Sequence, residues 1–354
     1  MSIRKMNKLG KTLKSFYLDK VQTKRITGNV VELYNPILEW PDWLFARNIH
    51  QVITANQENC LHAASIFGKI DLIHAHVSFP AGFVAMKLAT RLGVPYLITE
   101  HMGPFPFPEL LSNGKLKKKI EAPLRNATAT IAVSPALCET IAAYGVPKPT
   151  YIPNLVDERF FMPKSVQQEK TGPMIFFALA AMIPQKGIPD LLKGFHRATE
   201  TNKNILLRIG GGGEYFLQYQ NLAKQFAIAK KTVWLGPLSR TQVRKEMQDC
   251  HCFVLTSHYE TFGVVLAEAT ACGKPIIATK CGGPECIVTS GNGLLVEKGD
   301  TESIANALLY MAMNLSKYKR DVIRQEFLDR FSRQVVVGQI LDVYRSCLCK
   351  PSGS

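Results

Sequence analysis

Short apolar runs recur along almost the whole chain, each followed by a longer amphipathic stretch, and this alternation does most to fix the fold class. Strands buried on both faces read as continuous apolar runs, and parallel neighbours need a crossover, usually a helix, between them. The pattern predicts an α/β protein built on parallel sheets. In the first half the runs at 71–74, 95–99 and 129–133 read as strands, with helices near 81–92 and 135–143. In the second half the strands fall at 174–179, 205–209, 232–235, 252–255 and 275–278, and the helices at 187–200, 214–228, 239–249 and 263–272. The last ~50 residues carry two helical patterns, of which 329–348 is the longer. A Pro-bracketed segment, IPNLVDERFFMP at 152–163, reads as a linker. At 354 residues the chain has room for about two domains. The expected division is 1–155, 156–325 and a terminal helix over 326–354 that returns toward the first domain. Doubly wound domains bind ligands at the carboxyl ends of their strands, so the functional residues are sought there.

Composition narrows the partners. Apolar residues make up 46% and charged residues 20%, an ordinary globular balance. No apolar run reaches the ~18 residues of a membrane span, and the N-terminus has basic residues throughout rather than a secretory core, so a cytoplasmic protein is expected. Nine scattered cysteines read as reduced thiols. Cys250 and Cys252 flank His251, but no second close pair completes a zinc set, so strand-edge packing is expected and no metal site. His74 and His76 share a strand face and read as structural. The net charge is +15. Residues 1–25 contain Arg4, Lys5, Lys8, Lys11, Lys14, Lys20, Lys24 and Arg25 against the single acid Asp19, and Lys115, Lys117, Lys118 and Lys119 form a second cluster. Such patches attract anions. No stacking aromatics interleave with the lysines, which disfavours nucleic acid and favours an anionic membrane surface.

The most informative block follows the strand at 252–255: SHYETFGVVLAEATACGKPIIATKCGGPE. Gly263 can open a helix, and the N–H groups of Phe262 to Val265 would then point out of its start toward phosphate oxygens. Val264 and Glu268, four residues apart, share a face of that helix. Phosphate repels carboxylate, so Glu260 and Glu268 are better suited to accept hydrogen bonds from sugar hydroxyls on either side of it. Ribose, diphosphate and sugar together make a nucleotide sugar.

This block resembles the E-x7-E signature of glycosyltransferase family 4, retaining enzymes of the GT-B fold. KIDLIHAHVSFPAGFVA, LGVPYLITEH, IAVSPAL, YIPNLVD, PQKGIPDLL and RIGGGGE resemble further family segments in the same order, from about residue 71 to about 310. The resemblance implies two Rossmann-like doubly wound domains facing across a cleft. It implies that Glu268 binds ribose, Glu260 the donor sugar and Lys186 the diphosphate, with His101 near the anomeric centre. Thr261, Phe262, Gly263, Val264, Gly210 and Gly212 complete the implied donor site, and Gly282 and Gly283 let backbone approach the donor. No D-x-D triplet occurs, so metal-free transfer is expected, with no cofactor beyond the nucleotide-sugar donor and with a glycan or lipid-linked acceptor in surface polysaccharide assembly. A GT-B epimerase and a non-catalytic relative are the alternatives. Two departures stand out. Ala181 occupies a position where the family carries Arg, with Arg240 or Lys280 as candidate substitutes. Residues 1–25 hold neither an opening apolar strand nor a Gly-rich loop, so the N-terminal domain is expected to be shortened by its first βα unit, and 29–33 to correspond to a later strand.

Overall fold

The computed structural model describes residues 22–27, 30–37, 45–164 and 172–349. Along the first part of the chain run β1 (Gln22–Thr27), β2 (Val30–Tyr34), α1 (Phe45–Phe67), β3 (Ile73–His76), α2 (Phe83–Leu92), β4 (Tyr96–Glu100), β5 (Leu111–Ser112), β6 (Lys115–Leu116), α3 (Lys118–Asn126), β7 (Ala129–Ala132), α4 (Pro135–Ala142) and β8 (Thr150–Tyr151). Then follow β9 (Met174–Leu179), α5 (Ile188–Thr201), β10 (Ile205–Gly210), α6 (Phe216–Gln225), β11 (Thr232–Gly236), α7 (Arg240–Asp249), β12 (Cys252–Leu255), α8 (Val264–Ala271), β13 (Ile276–Lys280) and β14 (Gly293–Glu297). Three helices follow: α9 (Thr301–Asn314), α10 (Arg320–Phe331) and α11 (Arg333–Cys349). All eight strands expected from the apolar runs are present, with ends shifted by two residues or fewer.

The chain divides into two compact units. One holds the residues up to Glu100, Leu110–Thr130 and the chain from Val343; the other holds His101–Glu109 and Ile131–Asp342. In the first, β3 and β4 pair in parallel, with Ile73 opposite Tyr96, and every residue of β4 is buried, the polar Thr99 and Glu100 at its end included. Val84, Ala85, Leu88 and Ala89 form the buried stripe of α2, and Gly93, in the left-handed region at φ 65°, ends that helix. His74 and His76 stack at 4.7 Å between ring centroids. His74 Nδ1 lies 2.8 Å from the Tyr344 hydroxyl and Nε2 lies 2.7 Å from Thr99 Oγ1. Lys115, Lys117 and Lys118 are exposed, whereas the Lys119 amine sits 4.5 Å over the Phe79 ring. Burial, and then the charge of Lys117, hold that amine below the usual lysine range.

The strand expected at 29–33 appears as β2, but its partner is an antiparallel β1, with Thr23 opposite Leu33 and a bulge between Arg25 and Thr27. An apolar-run criterion misses β1 because QTKRIT is nearly all polar. The expectation of a missing first unit falls mainly on residues 1–21, outside the described residues. Among the described residues no helix is long and apolar enough to cross a membrane.

The second unit is organised on a six-stranded parallel sheet of order β11-β10-β9-β12-β13-β14. The first strand, β9, lies inside, with β10 and β11 added to one side and β12 to β14 to the other. This is the doubly wound order, and it reverses between β9 and β12. Phe176, Leu207, Ile209, Val254 and Ile277 from the strands pack against Leu191, Leu192, Phe195, Ile304 and Leu308 from α5 and α9. Gly194 lets α9 approach α5: a Cβ there would lie 2.6 Å from Ile304 Cγ2. Sequence patterning missed β14, a short run at the sheet edge.

The C-terminal segment holds three helices rather than two. Ser332 breaks the expected long helix with an extended backbone (φ −67°, ψ 156°). The carbonyl of Phe331, which would continue the ladder, accepts instead from Val156 N–H, and the Phe331 ring packs edge-on against Phe262. The segment 152–163 is likewise more than a tether, since Ile152, Val156 and Phe161 are buried.

Candidate functional site

A cleft of about 780 Å³ opens beyond the carboxyl ends of β9 and β12, where the strand order reverses, and Leu179 and Leu255 at those two ends line it. Around it stand His101, Lys186, Gly211, Gly212, Glu260, Thr261, Phe262, Gly263 and Val264, together with Asn154, Ala181, Pro237 and Leu238. Most of the expected site residues are therefore gathered in one place, although they lie up to 163 positions apart in the chain.

Each arrives there for a local reason. Lys186 belongs to a single 3-10 turn, Pro184–Lys186, closed by Gly187 at φ 61°. Only glycine fits at 187: its Cβ would fall 1.9 Å from the Thr256 carbonyl oxygen. Thr256 Oγ1 donates to the Gly187 carbonyl at 3.0 Å, and His258 N–H donates to the Gln185 carbonyl at 2.8 Å. His258 Nε2 lies 2.6 Å from Asp190 Oδ2 in the first turn of α5. These bonds fix the lysine turn against the loop carrying Glu260. The Lys186 ammonium then meets Glu260 Oε1 at 2.6 Å, with the two side chains only 26% and 13% exposed. The same oxygen accepts from Ser257 Oγ at 2.7 Å.

The Glu260 backbone is held from the other side, since Gly283 N–H donates to its carbonyl at 2.8 Å and its own N–H reaches the Cys281 carbonyl. Gly283 is required because a Cβ there would lie 2.5 Å from Phe262 Cα. Gly282, at φ 115°, donates its N–H to both oxygens of Glu285. Gly263 caps α8 at φ 92°, and the first-turn amides of α8 follow directly on the cleft-lining Thr261 and Phe262. The segment bearing His101 is tied to the same loop: Thr261 Oγ1 donates to the Met102 carbonyl at 3.2 Å, and Phe105 N–H donates to the Tyr259 hydroxyl.

Four expected residues, Gly210, Glu268, Gly282 and Gly283, are not among those lining the cleft. Gly210 is the last residue of β10, with Leu238 and Leu179 against it, and it is Gly211 and Gly212 that reach the cleft. Gly211, at φ 118°, approaches so closely that a Cβ would lie 1.9 Å from the Ala180 carbonyl oxygen. Glu268 lies one turn along α8 from Val264 and is half-buried. Desolvation raises its carboxyl from the ordinary 4.5 to about 7, against an opposing pull from Arg240. Of the two candidate substitutes at Ala181, Lys280 is paired with Glu297 at 2.5 Å. Arg240 stacks over Phe160 at 4.3 Å and lies 3.7 Å from Asp157. Among the described residues no group of three His, Cys, Asp or Glu side chains is placed to hold a metal ion. His251 is engaged with β9, exchanging hydrogen bonds with the backbone of Ile175.

Sequence reading missed Ser257, Gly187 and the Thr261–Met102 contact. Gly187 carried a signal, since a glycine directly after a candidate site residue can mark a close backbone approach. The Thr261–Met102 contact is tertiary, whereas Ser257 bonds Glu260 only three residues further along the same loop.

Comparison with known proteins shows the family and the fold. Residues 24–160 match the model of "Glycosyltransferase Family 4" and residues 162–325 that of "Glycosyl transferases group 1". The chain belongs to glycosyltransferase family 4. This glycosyltransferase is 25% identical to the N-acetyl-alpha-D-glucosaminyl L-malate synthase of Bacillus anthracis over 345 residues, 94% of this chain and 87% of that one. It is 28% identical to an uncharacterized glycosyltransferase of Methanocaldococcus jannaschii over 286 residues, 78% of this chain and 75% of the relative. Among solved structures, sucrose-phosphate synthase of Thermosynechococcus elongatus superposes with a TM-score of 0.75 at 19% identity, covering 97% of this chain and 92% of that one. The Anabaena HepE protein, solved with UDP and glucose, superposes with a TM-score of 0.68 at 19% identity, covering 84% of this chain and 81% of that one. The fold is GT-B, with two Rossmann-like parts.

Proposed function

We propose that this glycosyltransferase transfers a hexose from a nucleotide-diphosphate sugar, with retention of anomeric configuration, to a glycan or lipid-linked acceptor in surface polysaccharide assembly. The observation that carries the reading is the convergence of Lys186 and Glu260 at 2.6 Å, at the reversal point of the sheet and beside the first turn of α8. A phosphate anion suits a helix start, and Lys186 supplies the positive charge that grows in value as the diphosphate leaves. Gly212 and the amides of Thr261 to Val264 surround that anion. Glu260 accepts from hydroxyls of the donor sugar, Glu268 from the ribose, and His101 stands near the anomeric carbon. The acceptor hydroxyl attacks from the face the diphosphate leaves, without a metal ion: its oxygen bonds the anomeric carbon as the bond from that carbon to the diphosphate oxygen breaks, and its proton passes to the departing diphosphate. The exposed lysines at 115, 117 and 118 hold the enzyme against the anionic inner face of a membrane, where a lipid-linked acceptor resides.

The test is an assay of sugar transfer from UDP-, GDP- and ADP-sugars to extracted membrane lipids and oligosaccharides, in chelator, with the anomeric proton of the product followed by NMR. An axial donor giving an axial product supports the reading, and inversion of the anomeric centre refutes it. Interconversion of donor sugars without an acceptor would indicate an epimerase. Absence of both reactions would indicate the non-catalytic relative.

A further inference from the structure

Glu260 Oε1 takes two hydrogen bonds at once, from Lys186 Nζ at 2.6 Å and from Ser257 Oγ at 2.7 Å. The two donors differ in what else they can do. Lys186 lines the cleft and is the residue an incoming diphosphate would engage. Ser257 is fully buried, and its carbonyl accepts from the buried Thr279 Oγ1 on β13, so it stays in place. Its neighbours are equally fixed: Thr256 Oγ1 bonds the Gly187 carbonyl and His258 N–H bonds the Gln185 carbonyl. When the ammonium turns to a diphosphate, a half-buried carboxylate loses a charged donor, and leaving such a group unbonded is costly.

The geometry points to Ser257 as a positioning residue that keeps Glu260 Oε1 bonded when a diphosphate draws Lys186 away, so that the ion pair opens without stranding the carboxylate. Ser257 thereby makes the Lys186–Glu260 pair exchangeable and leaves Glu260 aimed at the cleft for the sugar. This assignment rests on the donor-site reading above.

The experiment is a double-mutant cycle read by calorimetry on the full chain, with whichever of UDP, GDP and ADP binds. In the otherwise native protein, Ser257→Ala is expected to weaken nucleotide binding at least 5-fold, because opening the pair then costs Glu260 its last donor. In a Glu260→Gln background no charged pair has to open, and Ser257→Ala is expected to change the affinity less than 2-fold. A merely structural role would weaken binding by the same factor in both backgrounds, and that result overturns the assignment. So does the absence of any effect in the native background. Ser257→Cys, close in volume but a weak donor, is expected to fall between serine and alanine and serves if alanine impairs folding. If the unaltered protein binds none of the three nucleotides, the donor-site reading itself falls.

Discussion

Replacing Glu268 by glutamine should stabilise the protein at alkaline pH while damaging nucleotide binding. Burial raises the Glu268 carboxyl from the ordinary 4.5 to about 7 in the folded chain. A folded-state value above the unfolded one means that the folded protein holds an extra proton between those pH values, so stability falls as pH rises through that window. Below about pH 4.5 the carboxyl is neutral in both states and carries no penalty. Above about pH 7 it is ionised in both and the full penalty applies. At 1.36 kcal/mol per pH unit, the interval corresponds to about 3 kcal/mol. Glutamine keeps the shape and has no such charge. Urea unfolding of the two proteins should therefore give nearly equal stabilities at pH 4.5 and a glutamine variant more stable by up to about 3 kcal/mol at pH 8. The same variant should bind nucleotide at least 10-fold more weakly at pH 8, because an amide replaces the carboxylate proposed to accept from ribose. A stability difference that does not change between pH 4.5 and pH 8 would refute the desolvation argument. Unchanged nucleotide affinity would refute the ribose assignment.

Three further outcomes follow from the same geometry. Gly187→Ala should abolish sugar transfer and lower the unfolding midpoint, since the new Cβ would lie 1.9 Å from the Thr256 oxygen at a backbone φ of 61°; a variant with native activity would contradict the close approach. Ala181→Arg should tighten nucleotide binding by roughly 10-fold or more, because Ala181 lines the cleft and a charge-assisted bond contributes about 1.5–3 kcal/mol; unchanged affinity would show that the added cation does not reach the phosphates. Sedimentation with phosphatidylserine vesicles at low salt should capture the protein and weaken on replacing Lys115, Lys117 and Lys118 by Ala, at about 1 kcal/mol per lysine; no capture at low salt would refute membrane docking.

The sheet was legible because its interior strands are continuous apolar runs, as in Met174–Leu179 and Cys252–Leu255, whose bounds coincide with the expectation. What escaped was held by other forces. The polar β1 exists through its pairing with β2, and the break at Ser332 exists because Val156 captures the Phe331 carbonyl. At the site, Lys186, named by the family resemblance, and Glu260 and Gly263, named by the block after the strand at 252–255, line one cleft. Gly210 was misplaced relative to Gly212 because a run of four glycines does not say which of them lies beneath Leu238. Ser257 lies only three residues before Glu260, but that spacing in a loop does not say that its hydroxyl meets the carboxylate.

On the proposed function, the cleft beyond β9 and β12 is the donor site, with Lys186 on the diphosphate. Calorimetric titration of the unaltered protein and of Lys186→Ala with UDP, GDP and ADP tests it most directly. One nucleotide is expected to bind, and the substitution to weaken it at least 10-fold, about 1.4 kcal/mol. Equal affinity in the two proteins, or no binding of any nucleotide to the unaltered one, would contradict it.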